Sequence, residues 1–156
     1  MRIKTSIAEL FEGKGFFAGL PEPLTEIVAG LATDYEVKAG ELLFRHGEAA
    51  TRFYLVTHGR VAIELYSPGR EAIVVEHVEN DDVVGWSWLV APYRWNFDAR
   101  AVEPSSLIGI DAPALRARCN AEPAFGYEIL RRFIPVMAHR LSSARERLVE
   151  SITERK

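Results

Sequence analysis

The stretch Tyr35–Val61, YEVKAGELLFRHGEAATRFYLVTHGRV, decides the fold. Glycines at 40, 47 and 59 punctuate it, and the segments between them are too short for helices and read as strands. Two candidates lie here, Glu41–Phe44 and Arg52–Thr57, with Asp34–Val37 just before them. The tetrapeptide Thr57-His58-Gly59-Arg60 has the composition of a hairpin turn. Beyond it, Val61, Ile63 and Leu65 point one way while Ala62 and Glu64 point the other, which marks a half-buried antiparallel strand over Arg60–Tyr66.

The pattern continues outward to Ile110. Glycines stand at 69 and 85, Ser67-Pro68-Gly69-Arg70 supplies another turn, and further strands are expected at Ala72–Val78 and Ala99–Ile110. Several short strands between turn signals predict a small sandwich or barrel across residues 34–111. On the N-terminal side, residues 5–32 read as helices in pieces. Ile7, Leu10 and Phe11 share a face, Thr5 or Ser6 is a candidate cap, and Gly13 and Gly15 break the pattern. Phe16, Phe17 and Leu20 form an apolar knot. A second helix is expected over Pro23–Leu31, burying Leu24, Ile27, Val28 and Leu31.

On the C-terminal side, residues 112–156 read as helical. A short helix spans Ala112–Asn120, and Pro123 suits the first turn of the next, where its missing N–H costs nothing. Pro135 removes one helical hydrogen bond, so a kink or break is expected there. Met137, Leu141, Ala144, Leu148 and Ile152 then recur at steps of 4, 3, 4 and 4. So narrow a seam suits a helix pairing with its twin, and a homodimer through residues 136–152 is expected; packing on the chain's own sheet is the alternative. The tail from Arg131 carries seven Lys/Arg against three Asp/Glu, read here as a solvated helix with Arg–Glu pairs.

The 156 residues suffice for one domain with one core, and 48% apolar and 26% charged residues are ordinary for a globular protein. A net charge of −3 gives no global attraction for nucleic acid. No apolar run is long enough to span a membrane, and the N-terminus lacks a signal-peptide centre, so a cytoplasmic location is expected. The lone Cys119 reads as a small core residue and points to a reducing compartment.

Within the β region lies VVGWSWLVAPYRWNFDARA, Val83–Ala101, which holds all three tryptophans. Rings mixed with Arg94 and Arg100, beside a glycine that lets backbone approach a guest, suit a partly apolar, partly anionic ligand. The alternative is that the rings are core.

Helix, glycine-punctuated strands, glycine loop, strand and two helices is an order that resembles the cyclic nucleotide-binding domain family. The resemblance rests on Tyr35, Ala39-Gly40-Glu41, Leu43-Phe44, His46-Gly47-Glu48-Ala49, Phe53-Tyr54-Leu55-Val56, Gly59 and Val61. It continues at Glu79-Asn80-Asp81-Asp82-Val83-Val84-Gly85, at Ala101-Val102-Glu103, and at Leu107-Ile108-Gly109-Ile110-Asp111. It implies a single domain, mainly β with flanking helices: a double-stranded β-helix jelly roll, N-terminal helices, and a C-terminal helix that often dimerises. In the family, a glutamate after the loop glycine meets the ribose, and an arginine further on meets the cyclic phosphate. Here the glutamate position is Trp86 and, counting back from Ala101, the arginine position is Trp95; Arg94 falls one place early. Each lost charge-assisted contact is expected to cost roughly 1.5–3 kcal/mol, so cyclic AMP should bind about a hundredfold or more weaker than in the family.

The implied function is a non-enzymatic ligand-sensing regulatory domain with an altered pocket. Its expected ligand-binding residues are Val84, Gly85, Trp86, Ser87, Trp88, Arg94, Trp95 and Asn96, with Tyr93 and Arg100 nearby. The guest is a small molecule, either a cyclic nucleotide or an aromatic or acidic metabolite. A protein partner carries the output, and no cofactor is expected. Two alternatives stay open: a ligand-free interaction module, and a cyclic AMP- or cyclic GMP-binding signalling protein. Direct DNA binding is not expected, because no helix-turn-helix follows the C-terminal helices. No catalytic or metal site is expected, because His46, His58, His77 and His139 are scattered and form no cupin-like cluster.

Overall fold

The computed structural model describes residues 16–65, 67–79 and 82–154. The helix expected around Ile7, Leu10 and Phe11, and positions Tyr66, Asn80 and Asp81, lie outside them. The elements run α1 (Glu22–Gly30), β1 (Ala32–Val37), β2 (Leu42–Phe44), β3 (Arg52–His58), β4 (Val61–Leu65), β5 (Ile73–Val78), β6 (Val83–Val84), a 3₁₀ turn (Ser87–Leu89), β7 (Asp98–Ala101), β8 (Ser105–Asp111), α2 (Ala112–Ala121) and α3 (Pro123–Glu154). Two four-stranded antiparallel sheets face each other in the orders β1-β8-β3-β6 and β2-β7-β4-β5. The fold is the mainly β roll with flanking helices that the sequence implied.

One strand expectation is corrected. Ala99–Ile110 is not a single strand: β7 belongs to one sheet and β8 to the other. Pro104 has no N–H to extend a ladder. The chain turns over Val102–Pro104 against Gly59, whose φ is +91°. A Cβ on Gly59 would stand 2.2 Å from the Ser105 Oγ and 2.7 Å from the Pro104 carbonyl oxygen, so only glycine fits this corner.

The core has two compartments. Inside the roll, Phe44, Leu55, Ile63, Val83, Trp95, Phe97, Ala99, Leu107 and their neighbours are buried from both sheets. Outside β3, a helical compartment forms. There Phe53 stacks on Trp88 at 4.9 Å, and Phe133 of α3 meets both rings edge-on at 5.3 and 5.4 Å. Phe17, Val28, Leu115, Phe125 and Ile129 complete it. This is why Phe53 to Val56 are buried without alternation: β3 is covered on both faces.

Asp111 caps α2 through its carboxylate, which accepts from the Ala114 N–H at 3.0 Å. The break or kink expected at Pro135 is not a break. α3 continues through it from Pro123 to Glu154, with Phe133 anchored before it and Arg140 after it. Packing on either side outweighs the loss of one helical hydrogen bond.

Candidate functional site

The loop after β6 begins with Gly85 at φ +96°. The reason is steric as well as conformational. A Cβ there would meet Trp95 Cζ3 at 2.3 Å and Cη2 at 2.5 Å, so the indole lies directly against the glycine. Trp95 is 2% exposed and stacks on Phe44 with centroids 3.7 Å apart and planes 7° from parallel. It therefore fills the space beside Gly85. Backbone bonds hold it there: the Trp95 N–H donates to the Glu48 carbonyl at 2.9 Å, and the Gly47 N–H to the Trp95 carbonyl at 2.8 Å.

The three tryptophans, grouped in sequence, go to three places. Trp95 enters the roll. Trp88 leaves it for the helical compartment, fully buried. Arg116 of α2 secures that half of the loop: its guanidinium lies 3.8 Å over the Tyr93 ring, and its Nη1 donates to the Trp88 carbonyl at 2.6 Å. Trp86 alone is half-buried and lines an open cleft.

That cleft, of about 390 Å³, lies between the roll and α3. Ile63, Leu65, Val75, Trp86 and Phe97 form the roll side; Ser143, Ala144 and Leu148 form the helix side. Three charged residues border it: Glu76, Arg140 and Arg147. Arg140 is buried, and its Nε lies 3.0 Å from Glu76 Oε2. Its Nη2 donates to the Val83 carbonyl, and its guanidinium sits 5.3 Å over the Trp86 ring. Burial lowers its pKa, and the charges of Glu76 and Asp82 counteract that. Arg147 reaches down to the Val74 carbonyl at 3.0 Å. The Arg140 side chain thus ties the helix, β5, β6 and the loop together.

The other expected site residues lie elsewhere. Val84 is buried opposite Tyr54 on β3. Ser87 is buried with its Oγ unpartnered, and Trp88 Nε1 is likewise unpartnered. Arg94 donates to the Gly47 carbonyl at 2.9 Å, and Asn96 is exposed. Arg100 is held by Glu64 at 3.3 Å and the Gly40 carbonyl at 2.9 Å. Of the eight expected residues, only Trp86 lines the cleft. The residues that sequence reasoning missed are Glu76 and the α3 set. Their signal was present: Arg140, Ser143, Ala144 and Arg147 share one helix face at spacings of 3, 4 and 7, with two small residues between two arginines. A tail read as solvated hid an arginine that is 8% exposed.

Among the described residues, no cluster of His, Cys, Asp and Glu could hold a metal ion, and no helix is long and apolar enough to cross a membrane.

Comparison with known proteins agrees with this architecture. The sequence profile of the cyclic nucleotide-binding domain family matches residues 35–122. No curated protein matches significantly. Among solved structures, a cyclic nucleotide-binding domain from Methylobacillus flagellatus KT is similar with a TM-score of 0.74 at 14% identity, over 96% of this chain and 83% of that one. The sensor domain of the transcriptional regulator DNR from Pseudomonas aeruginosa gives 0.72 at 18% identity, over 91% and 95%. The catabolite activator protein of Thermus thermophilus gives 0.67 at 20% identity, over 85% of this chain and 61% of that longer one. At these identities the structural likeness establishes the fold.

Proposed function

The chain belongs to the cyclic nucleotide-binding domain family, and we propose that it is a non-enzymatic ligand-sensing regulatory domain whose guest occupies the cleft between the β-roll and α3. One observation carries this reading. The space beside Gly85 is taken by Trp95, while an apolar cleft remains open next to Trp86. A cyclic phosphate has lost both its anchors and its room; an apolar guest has kept a wall on each side.

A guest there touches two elements at once, the roll through Trp86 and Phe97 and the helix through Ala144 and Leu148. If it fits one seating of α3 better than another, it shifts the helix toward that seating. The helix passes the change to a homodimer seam through residues 136–152 and to a protein partner. Titration with cyclic AMP, cyclic GMP and a panel of aromatic and acidic metabolites, followed by tryptophan fluorescence and calorimetry, tests the reading. A saturable response that disappears in Trp86→Phe supports it. No heat and no fluorescence change with any compound would overturn it.

That second outcome would favour a ligand-free protein-interaction module on the same fold. The burial of Trp88 and Trp95 is the observation on its side.

A further inference from the structure

Resting on the reading of the cleft as a ligand site, we propose that its guest is an aromatic monocarboxylate, held by Arg147 with its ring between Trp86 and Leu148. The charge around the cleft is unbalanced. Of the three charged groups that line it, Glu76 is already engaged by Arg140 at 3.0 Å. Asp82 also acts on Arg140, but it is not part of the lining. Arg147 meets a backbone carbonyl and, among the described residues, no carboxylate. The lining thus carries one positive charge without a partner, at the edge of an otherwise apolar space.

Arg140 does not compete for the guest: it is more than nine-tenths buried and already meets Glu76 and the Val83 carbonyl. An anion in the cleft is therefore left to Arg147. Arginine binds a carboxylate with two parallel hydrogen bonds, which favours a planar monoanion over a neutral guest.

The body of the guest follows from the walls. Trp86 and Phe97 present rings 6.1 Å apart and tilted by 53°, and Ile63, Leu65 and Val75 supply aliphatic surface. The two rings together form the aromatic wall on the roll side, and a flat ring packs against it. Ser143 and Ala144 leave room on the helix where larger side chains would close it. A cation would be repelled by Arg147, and a dianion would carry more charge than the lining offsets.

Calorimetry on the full chain with 4-phenylbutyrate and its uncharged amide tests the assignment. The acid is expected to bind at least about tenfold tighter than the amide, the size of one charge-assisted contact. Arg147→Met should bring the two affinities together. Arg145→Met, which removes an exposed charge outside the cleft, should leave the preference intact. Ala144→Trp should block both compounds by filling the cleft. Equal binding of acid and amide would overturn the anionic assignment while leaving the cleft a ligand site. Binding that survives Ala144→Trp would overturn the location. If neither compound binds, this ligand class is wrong; the sensor reading itself falls only if the wider panel also fails.

Discussion

Trp95 shows how a residue's role is set by what its neighbour lacks. The indole can sit inside the roll because Gly85 has no Cβ, and Gly85 must be glycine because the indole is there. Removing the ring leaves a cavity lined by Phe44, Phe97 and the loop. Trp95→Ala is expected to lose about 3–5 kcal/mol, read as a lower urea midpoint with an unchanged slope. A loss under about 1 kcal/mol would mean that the ring is not packed as described. Cys119 offers a second test at this scale. Burial pushes its thiol up to about 11. The folded state therefore holds the proton more tightly than the unfolded chain. Stability is unaffected below the unfolded thiol's pKa and falls as pH rises from there toward about 11. Urea midpoints at neutral and alkaline pH should separate more in the wild type than in Cys119→Ala. Equal separations would contradict the shift.

At the scale of elements, the contact that matters is the docking of α3 on the roll. It depends on Arg140, and the two ends of its ion pair are not equivalent. The Arg140 side chain is 7% exposed and that of Glu76 is 21% exposed. Glu76→Gln leaves a buried guanidinium with the Asp82 charge as its remaining counter-charge and should cost about 2–3 kcal/mol. Arg140→Met leaves a carboxylate that can turn toward water and replaces the buried stem with apolar volume, so it should cost less. Urea denaturation of the two variants measures the order, and the reverse order would show that Glu76 is the more deeply committed partner. The elements also show where sequence reading succeeded. The strand positions came through because glycine turns are local signals, but two details did not: Thr57–Arg60 is no hairpin, since β3 and β4 lie in different sheets, and β4 is buried from Val61 through Glu64 without alternation. The crossing from β7 in one sheet to β8 in the other did not come through either, because the corner over Val102–Pro104 is shaped by Gly59, some forty residues earlier.

At the scale of the whole molecule, α3 has two working faces. One, with Phe125, Ile129, Phe133 and Arg140, is buried against the roll and α2. The other carries Tyr127, Ile134, Leu141 and Leu148, seven residues apart and each more than half exposed. A strict seven-residue spacing of exposed apolar side chains is the pattern of a helix that pairs along its length. It begins earlier than the expected 136–152 seam. A charge at its centre should break the pairing. Leu141→Glu lies outside the cleft lining and is expected to weaken self-association at least about tenfold in sedimentation equilibrium. A wild type that sediments as a monomer at every concentration would remove the seam altogether.

The sequence by itself determined the roll and its flanking helices. These follow from local spacing: glycines at turns and short apolar-rich strands between them. Only the tertiary structure decided what the tryptophans do. Three rings within ten positions read as one aromatic pocket, yet Trp95 turns into the roll, Trp88 turns out to Phe53 and Phe133, and Trp86 alone stays at the surface of the cleft. The charged groups of the cleft come from β5 and α3, which stand on either side of the loop in the chain. The physical reason is that a ring's environment is set by the elements packed against it. Those elements are distant in sequence, and no periodicity within the loop records them.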